Sequence, residues 1–212
     1  MKKPNLSTKT IVRYIRDFSI VVAGIAVTLY VNYKVTNQGE KRDMNLYLNA
    51  IKLELEENIK QLDKAVESFQ NDLKYQEYLR THDKKHLNKD SLESYSSTYF
   101  SIRIFPFKTN AFEMFKFSGT MRLIADKELL LSIWEVYDDF NTANNALEWM
   151  SRAKLDDYRK DISIMIQNDM EITGIPMSNY YFSGMPNSAL NACETLLTES
   201  KELFAKLDPQ IK

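Results

Sequence analysis

The chain has 212 residues, with 28 Lys plus Arg against 29 Asp plus Glu, only 5 Gly and 5 Pro, and a single Cys. An apolar and aromatic share of 44% excludes a disordered chain, and a net charge of −1 excludes bulk electrostatic attraction to nucleic acid. One cysteine excludes both an internal disulfide framework and a cysteine-based zinc ribbon.

Near the N-terminus, residues 18–33 (FSIVVAGIAVTLYVNY) carry no charge and follow Lys2, Lys3, Lys9, Arg13 and Arg16. As a helix this run rises about 24 Å, and Arg16 and Lys34 extend its reach by lifting their charged ends toward lipid headgroups. Tyr14 and Phe18 at one end and Tyr30 and Tyr33 at the other suit two membrane interfaces, about 28 Å apart from Tyr14 to Tyr33. Phe18, Val21, Val22, Gly24, Ile25, Leu29, Tyr30 and Tyr33 are therefore the expected anchor residues, in contact with membrane lipid. Small residues in the cleavage positions of a secretion signal are missing after the apolar run, where Leu29, Tyr30, Val31, Asn32 and Tyr33 stand. The competing readings are a cleaved signal and a buried core helix of a soluble protein.

Residues 1–17 hold five basic side chains and one acidic, which predicts a cytoplasmic N-terminus. The rest of the chain has 23 basic and 28 acidic residues and is expected on the other side. The predicted organisation is a basic cytoplasmic segment (1–17), a transmembrane anchor (18–35) and an extracytoplasmic helical domain (36–212), single-pass, in an inner membrane facing the periplasm.

Beyond the anchor, Leu55, Ile59, Leu62, Val66, Phe69 and Leu73 alternate steps of four and three, a heptad seam that predicts a long helix. The absence of Gly and Pro between 40 and 105 and between 120 and 173 favours long helices throughout. Residues 87–125 are the least regular, with a period-two fragment at Phe100, Ile102 and Ile104 and a crowd of rings. Tyr99, Phe100, Phe105, Phe107, Phe112, Phe115 and Phe117 either cap a core or line an apolar groove for a peptide or lipid. Asn110 with Glu113 has the form of a capping box, and Gly119 is placed to end that short helix.

A second long helix is predicted after Asp126, with Leu130, Ile133, Tyr137, Phe140, Leu147, Leu155, Tyr158, Ile162 and Met165 in phase, and Asn144 and Ser151 interrupting that phase. It is expected to lie antiparallel to the first. A third helix over 188–207 presents Leu190, Cys193, Leu197, Phe204 and Leu207, with Cys193 a small buried thiol. The fold class is all-α: an N-terminal transmembrane helix followed by an extended antiparallel helical bundle.

The segments Val21-Val22-Ala23-Gly24-Ile25 with Leu29 and Val31-Asn32, and then Thr109-Asn110-Ala111-Phe112, Ser118-Gly119, Leu123-Ile124, Asp126, Leu129 and Tyr137, resemble two signatures of an uncharacterised family of bacterial single-pass membrane proteins. The resemblance implies an anchor and a helical exterior domain, and it brings no catalytic residues. The chain departs from that family at 17–19 and 33–34, where Gly-Glu and a Trp are usual.

His82 and His86, spaced i,i+4 with Asp83 between, have the outline of a zinc protease helix. Asp is one carbon shorter than the usual Glu base, no third His exists, and Lys84 and Lys85 repel a dication. Adjacent carboxylates such as Asp138 and Asp139 point in different directions on a helix and share no proton. Phosphate-loop, dinucleotide and nucleophile-elbow motifs do not occur. No cofactor is expected. Ser19 with Ala23, and Gly24 with Thr28, permit close approach of two membrane helices, so self-association is a further expectation. The functional expectation is a membrane-tethered, non-catalytic interaction or scaffold module that binds a protein partner or itself. The alternatives are a ligand-sensing bundle with an aromatic pocket and, third, a metal-dependent hydrolase.

Overall fold

The computed structural model describes residues 8–82, 89–167 and 179–210, and every regular element among them is helical. Helix α1 (Thr8–Thr81) is followed by α2 (Lys89–Phe100), α3 (Asn110–Ser118), a 3-10 turn (Thr120–Leu123), α4 (Lys127–Gln167), the short α5 (Asn179–Phe182), α6 (Met185–Leu207) and a closing 3-10 turn (Asp208–Gln210). At 1.5 Å per residue the 74 residues of α1 form a rod about 110 Å long.

Two thirds of that rod are packed. The buried line runs through Leu48, Ile51, Leu55, Asn58, Leu62, Ala65, Phe69, Asp72 and Leu79. It shares Leu55, Leu62 and Phe69 with the predicted seam but is rotated so that Ile59, Val66 and Leu73 are only half-buried. The rotation has a physical cause: polar Glu54, Asn58 and Asp72 are drawn to the inside by partners elsewhere in the chain.

Helix α6 lies antiparallel to α1, because Lys52 pairs with Asp208, Asp63 with Lys201, and Gln76 donates to the Ser183 carbonyl. It is also antiparallel to α4, with Lys206 on Ser132 and Asp157 on the Tyr180 backbone N–H. Its buried line is Ala189, Cys193, Leu196, Ser200, Leu203 and Leu207.

The two long helices α1 and α4 run parallel, which corrects the antiparallel pairing expected of them. The Tyr137 hydroxyl donates to the Ile51 carbonyl at 3.3 Å, and Lys154 meets Asp72 at 3.0 Å, so both sequences ascend together. The reason lies between them. Residues 89–123 do not cross at one end but descend the whole length of the packed body, and α4 then climbs beside α1 again. The 3-10 turn finishes that descent with Arg122 paired to Glu40.

The middle of the descending leg, residues 101–109, has no regular structure, and its Phe105 and Phe107 side chains are buried. A buried extended backbone must have its polar groups satisfied. Asn58 of α1 does this on one side, accepting from the Lys108 N–H and donating to the Lys108 carbonyl, both at 2.8 Å. Asn144 of α4 does the same for Phe107, at 2.8 and 2.9 Å. Ser151, the other residue that breaks the apolar phase of α4, donates to the Arg103 carbonyl. The inward alternation is Phe105 and Phe107, one residue out of step with the fragment read from Phe100, Ile102 and Ile104; Ile104 is 70% exposed.

Local signals explain several ends. Gly119 closes α3 at φ 72°, a left-handed position that an L side chain resists. Asp126 caps α4, its carboxylate accepting from the N–H groups of Glu128 and Leu129 at 3.0 Å. The predicted capping box at Asn110 and Glu113 is absent. Instead the Ala111 N–H donates to the Glu54 carboxylate of α1 at 2.9 Å, so a distant side chain satisfies the start of α3. Helix α2 occupies part of the stretch read as irregular.

Removing either asparagine leaves a backbone donor and acceptor unpaired, at about 1–3 kcal/mol for each variant. Asn58→Ala and Asn144→Ala should each lower the melting temperature by roughly 2–10 °C for a chain this size, while Asn145→Ala at an exposed neighbouring position leaves it unchanged. Thermal unfolding followed by circular dichroism in detergent makes the comparison.

Candidate functional site

The first third of α1 stands apart from the rest of the molecule. Residues 12–36 are all exposed, including Phe18 at 71%, Leu29 at 63% and Tyr33 at 68%. Among the described residues α1 is the one helix long and apolar enough to cross a membrane, and none of its apolar window is buried. The core-helix reading fails here, since a core helix is covered by its own chain. The predicted anchor residues Phe18, Val21, Val22, Gly24, Ile25, Leu29, Tyr30 and Tyr33 all lie on this bare segment. Ser19 and Thr28 turn their hydroxyls back onto the Ile15 and Gly24 carbonyls at 2.8 and 2.9 Å, which hides their polarity within the helix. A Cβ on Gly24 would meet nothing within 4 Å, so no packing inside the chain requires glycine there.

The predicted aromatic surface is divided by the structure. Phe105, Phe107, Phe112 and Phe115 are buried in the core, where Phe112 stacks on Tyr137 at 4.7 Å and Phe107 meets Phe140 at 5.2 Å. Tyr99 is half-buried against Tyr75 and Tyr181, and the side chain of Phe100 lies outside the described residues. Among the described side chains of the set Phe117 alone is widely exposed, at 81%. It borders a shallow groove of ≈ 650 Å³ between α1 and α3, lined by Leu46, Tyr47, Ala50, Leu53 and Met114. Leu46, Leu53 and Met114 are each more than half exposed, which makes this an uncovered apolar surface on the packed body.

His82 caps the end of α1, its Nδ1 at 3.0 Å from the Tyr78 carbonyl and its ring 4.4 Å from that of Tyr78. His86 lies outside the described residues. Among the described residues no three His, Cys, Asp or Glu side chains gather as metal ligands.

Sequence reasoning missed a buried polar centre at the far end of the body. Lys154 of α4, with 9% of its side chain exposed, donates to Asp72 of α1, 4% exposed, and to the Thr98 carbonyl of α2 at 3.1 Å. Tyr180 and Tyr181 of α5 donate to the two Asp72 oxygens at 2.9 and 3.3 Å, and their rings face the Lys154 ammonium at 5.3 and 5.2 Å. Burial lowers the Lys154 ammonium below the ordinary lysine value, opposed by Asp72, and raises both tyrosine hydroxyls far above theirs. A lysine so tuned is a familiar nucleophile. Here Asp72 and the Thr98 carbonyl engage two of its protons, and the space beside it is ≈ 20 Å³, room for one water and no substrate. The centre is a clasp joining α1, α2, α4 and α5. Cys193 is likewise inert, since burial pushes its thiol up to about 11.

A second polar cluster lines the α4–α6 surface, where Asp139 faces Glu199 beside Glu135, Asp138 and Glu202. Partial burial, then the neighbouring carboxylates, raises both Asp139 and Glu199 above the usual range. The adjacent pair Asp138 and Asp139 is thus less informative than this cross-helix pair. Comparison of the chain with protein-family models, curated proteins and solved structures found no match.

Two tests follow from these charges. Lys154→Met strands a buried carboxylate and should cost about 3–5 kcal/mol, whereas Asp72→Asn combined with it removes that charge and restores about 1–2 kcal/mol. Strictly additive losses in denaturant unfolding would refute the clasp. Because the Asp139 and Glu199 values are raised on folding, stability grows as pH falls through those raised values and stops growing below the ordinary carboxylate value. Both groups are largely solvated, so the effect is a few tenths of a kcal/mol. Asp139→Asn should therefore raise the melting temperature by about 1 °C at pH 7 and lose that advantage near pH 4, as read by melting curves across pH.

Proposed function

We propose that the protein is a membrane-tethered, non-catalytic interaction module whose helical body binds a protein partner or a second copy of itself. One observation carries the reading: residues 12–36 of α1 are bare and contain the uncharged apolar run 18–33, while the same helix, without interruption, forms the spine of the packed body. An apolar rod of that length in water is strongly unfavourable, and a bilayer of about 30 Å supplies its missing partner. The five basic residues of 1–17 put the N-terminal end in the cytoplasm, and the acidic body projects from the opposite face, into the periplasm of a two-membrane envelope. The likeness of residues 21–32 and 109–137 to the bacterial single-pass family agrees with this topology. The exposed groove at Leu46, Leu53, Met114 and Phe117 supports partner binding, and Lys154 and Asp72 are buried against each other as a structural pair.

Each charge at the centre of a membrane helix opposes insertion by about 2.5–3.5 kcal/mol. Wild-type protein should stay with membranes through an alkaline wash, whereas Val22→Asp with Ile25→Asp should release it. Protease added to spheroplasts should degrade the body and leave a short protected fragment. A body spared in intact spheroplasts, or wild-type protein that remains dissolved without detergent, overturns the proposal.

A further inference from the structure

We infer that the turn joining α3 to α4 is a second membrane contact, a cationic collar seated in the phospholipid headgroup layer beside the anchor. The inference rests on the transmembrane reading of α1 given above. The first half-buried positions of α1 are Asn37, Gly39 and Glu40, immediately beyond the bare segment, and the 3-10 turn packs on α1 there with Arg122 paired to Glu40. Glu40 is five residues past Val35, about 7.5 Å along the helix axis. The headgroup layer of a bilayer is about 5–8 Å deep on each side of the hydrocarbon. The anchor therefore fixes the turn at headgroup depth, whatever else the body does.

Charge agrees with that depth. Residues 34–43 and 116–128 hold six basic and four acidic side chains, whereas the remaining chain beyond residue 17 holds 17 basic and 24 acidic. Two of the four acidic members at the collar are engaged, Glu40 by Arg122 and Asp126 by the N-terminal N–H groups of α4, while Asp43 and Glu128 are exposed. Lys41, Arg42 and Lys127 are exposed around the same level, and Arg122 has 67% of its side chain in solvent. Basic side chains near an anionic leaflet contribute roughly 1 kcal/mol each, falling off within a Debye length. Positive charge sits next to the lipid phosphates and the negative surplus is kept away from them. The occupant is thus the phosphate surface of the bilayer that holds α1.

The test uses full-length protein in vesicles of phosphatidylcholine with phosphatidylglycerol. A fluorophore is attached at Ala125→Cys in the turn, Val27→Cys in the anchor or Arg152→Cys on the far part of α4; the native Cys193 is buried. Lipids carrying a nitroxide near the headgroup should remove more than half of the emission at position 125 and none at 152, while a nitroxide deep in the chains quenches position 27. Adding Arg122→Gln and Lys127→Gln should weaken the quenching at 125. Quenching at 27 with emission at 125 as full as at 152 overturns the collar and leaves the anchor standing. Full emission at 27 sinks both.

Discussion

An extended stretch of backbone cannot be buried without partners for its N–H and C=O groups, and the body of this protein is arranged around meeting that demand. Residues 105–108 lie between α1 and α4 with Phe105 and Phe107 buried. Asn58 and Asn144 imitate the edges of a β-ladder, each giving one acceptor and one donor to a single residue of the strand-like segment. With that segment stitched in place, α1 and α4 are held apart, so both helices pack chiefly on α6 and on the descending leg. The parallel course of the two long helices is a consequence of this wedge.

Much of the helical content was legible in the sequence, and the reasons for the gaps are specific. Long breaker-free runs marked α1 and α4, and Asp126 marked the start of α4 and Gly119 the end of α3 because caps are local. Helix α2 escaped notice because Ser91, Ser94, Ser96, Ser97 and Thr98 are poor helix formers; its Tyr95 and Tyr99 are docked against Tyr75 and Tyr181 by tertiary contact. Heptad spacing reports which face is apolar but says nothing of direction, so it left the relative course of α1 and α4 open to error. Asn144 and Ser151 were visible as interruptions of an apolar phase. Their meaning required knowing that an unpaired backbone would arrive opposite them.

The candidate anchor was the most legible feature, since an uncharged run flanked by arginine and lysine needs no tertiary information to be seen. The clasp of Asp72, Lys154, Tyr180 and Tyr181 was invisible for the opposite reason. Its four members come from three helices and lie up to 109 positions apart in the chain. A carboxylate and an ammonium look like solvated surface until the fold brings them together out of water. Such a centre is a poor source of net stability, yet it penalises any packing that separates its members. It therefore acts on the choice of arrangement more than on its depth, at the end of the body farthest from the anchor.

The unbroken course of α1 makes the molecule a lever with no elbow. Gly39, the glycine nearest the junction of bare and packed segments, is helical, with φ in the ordinary range, and the 3-10 turn braces α1 one residue later. Some 46 residues of α1 extend past Val35, about 69 Å of rod. With the bare segment seated in a bilayer as proposed, any lean of it, whether imposed by lipid thickness or by a neighbouring span, is carried undamped to the tip, where a slight slant becomes a wide sweep.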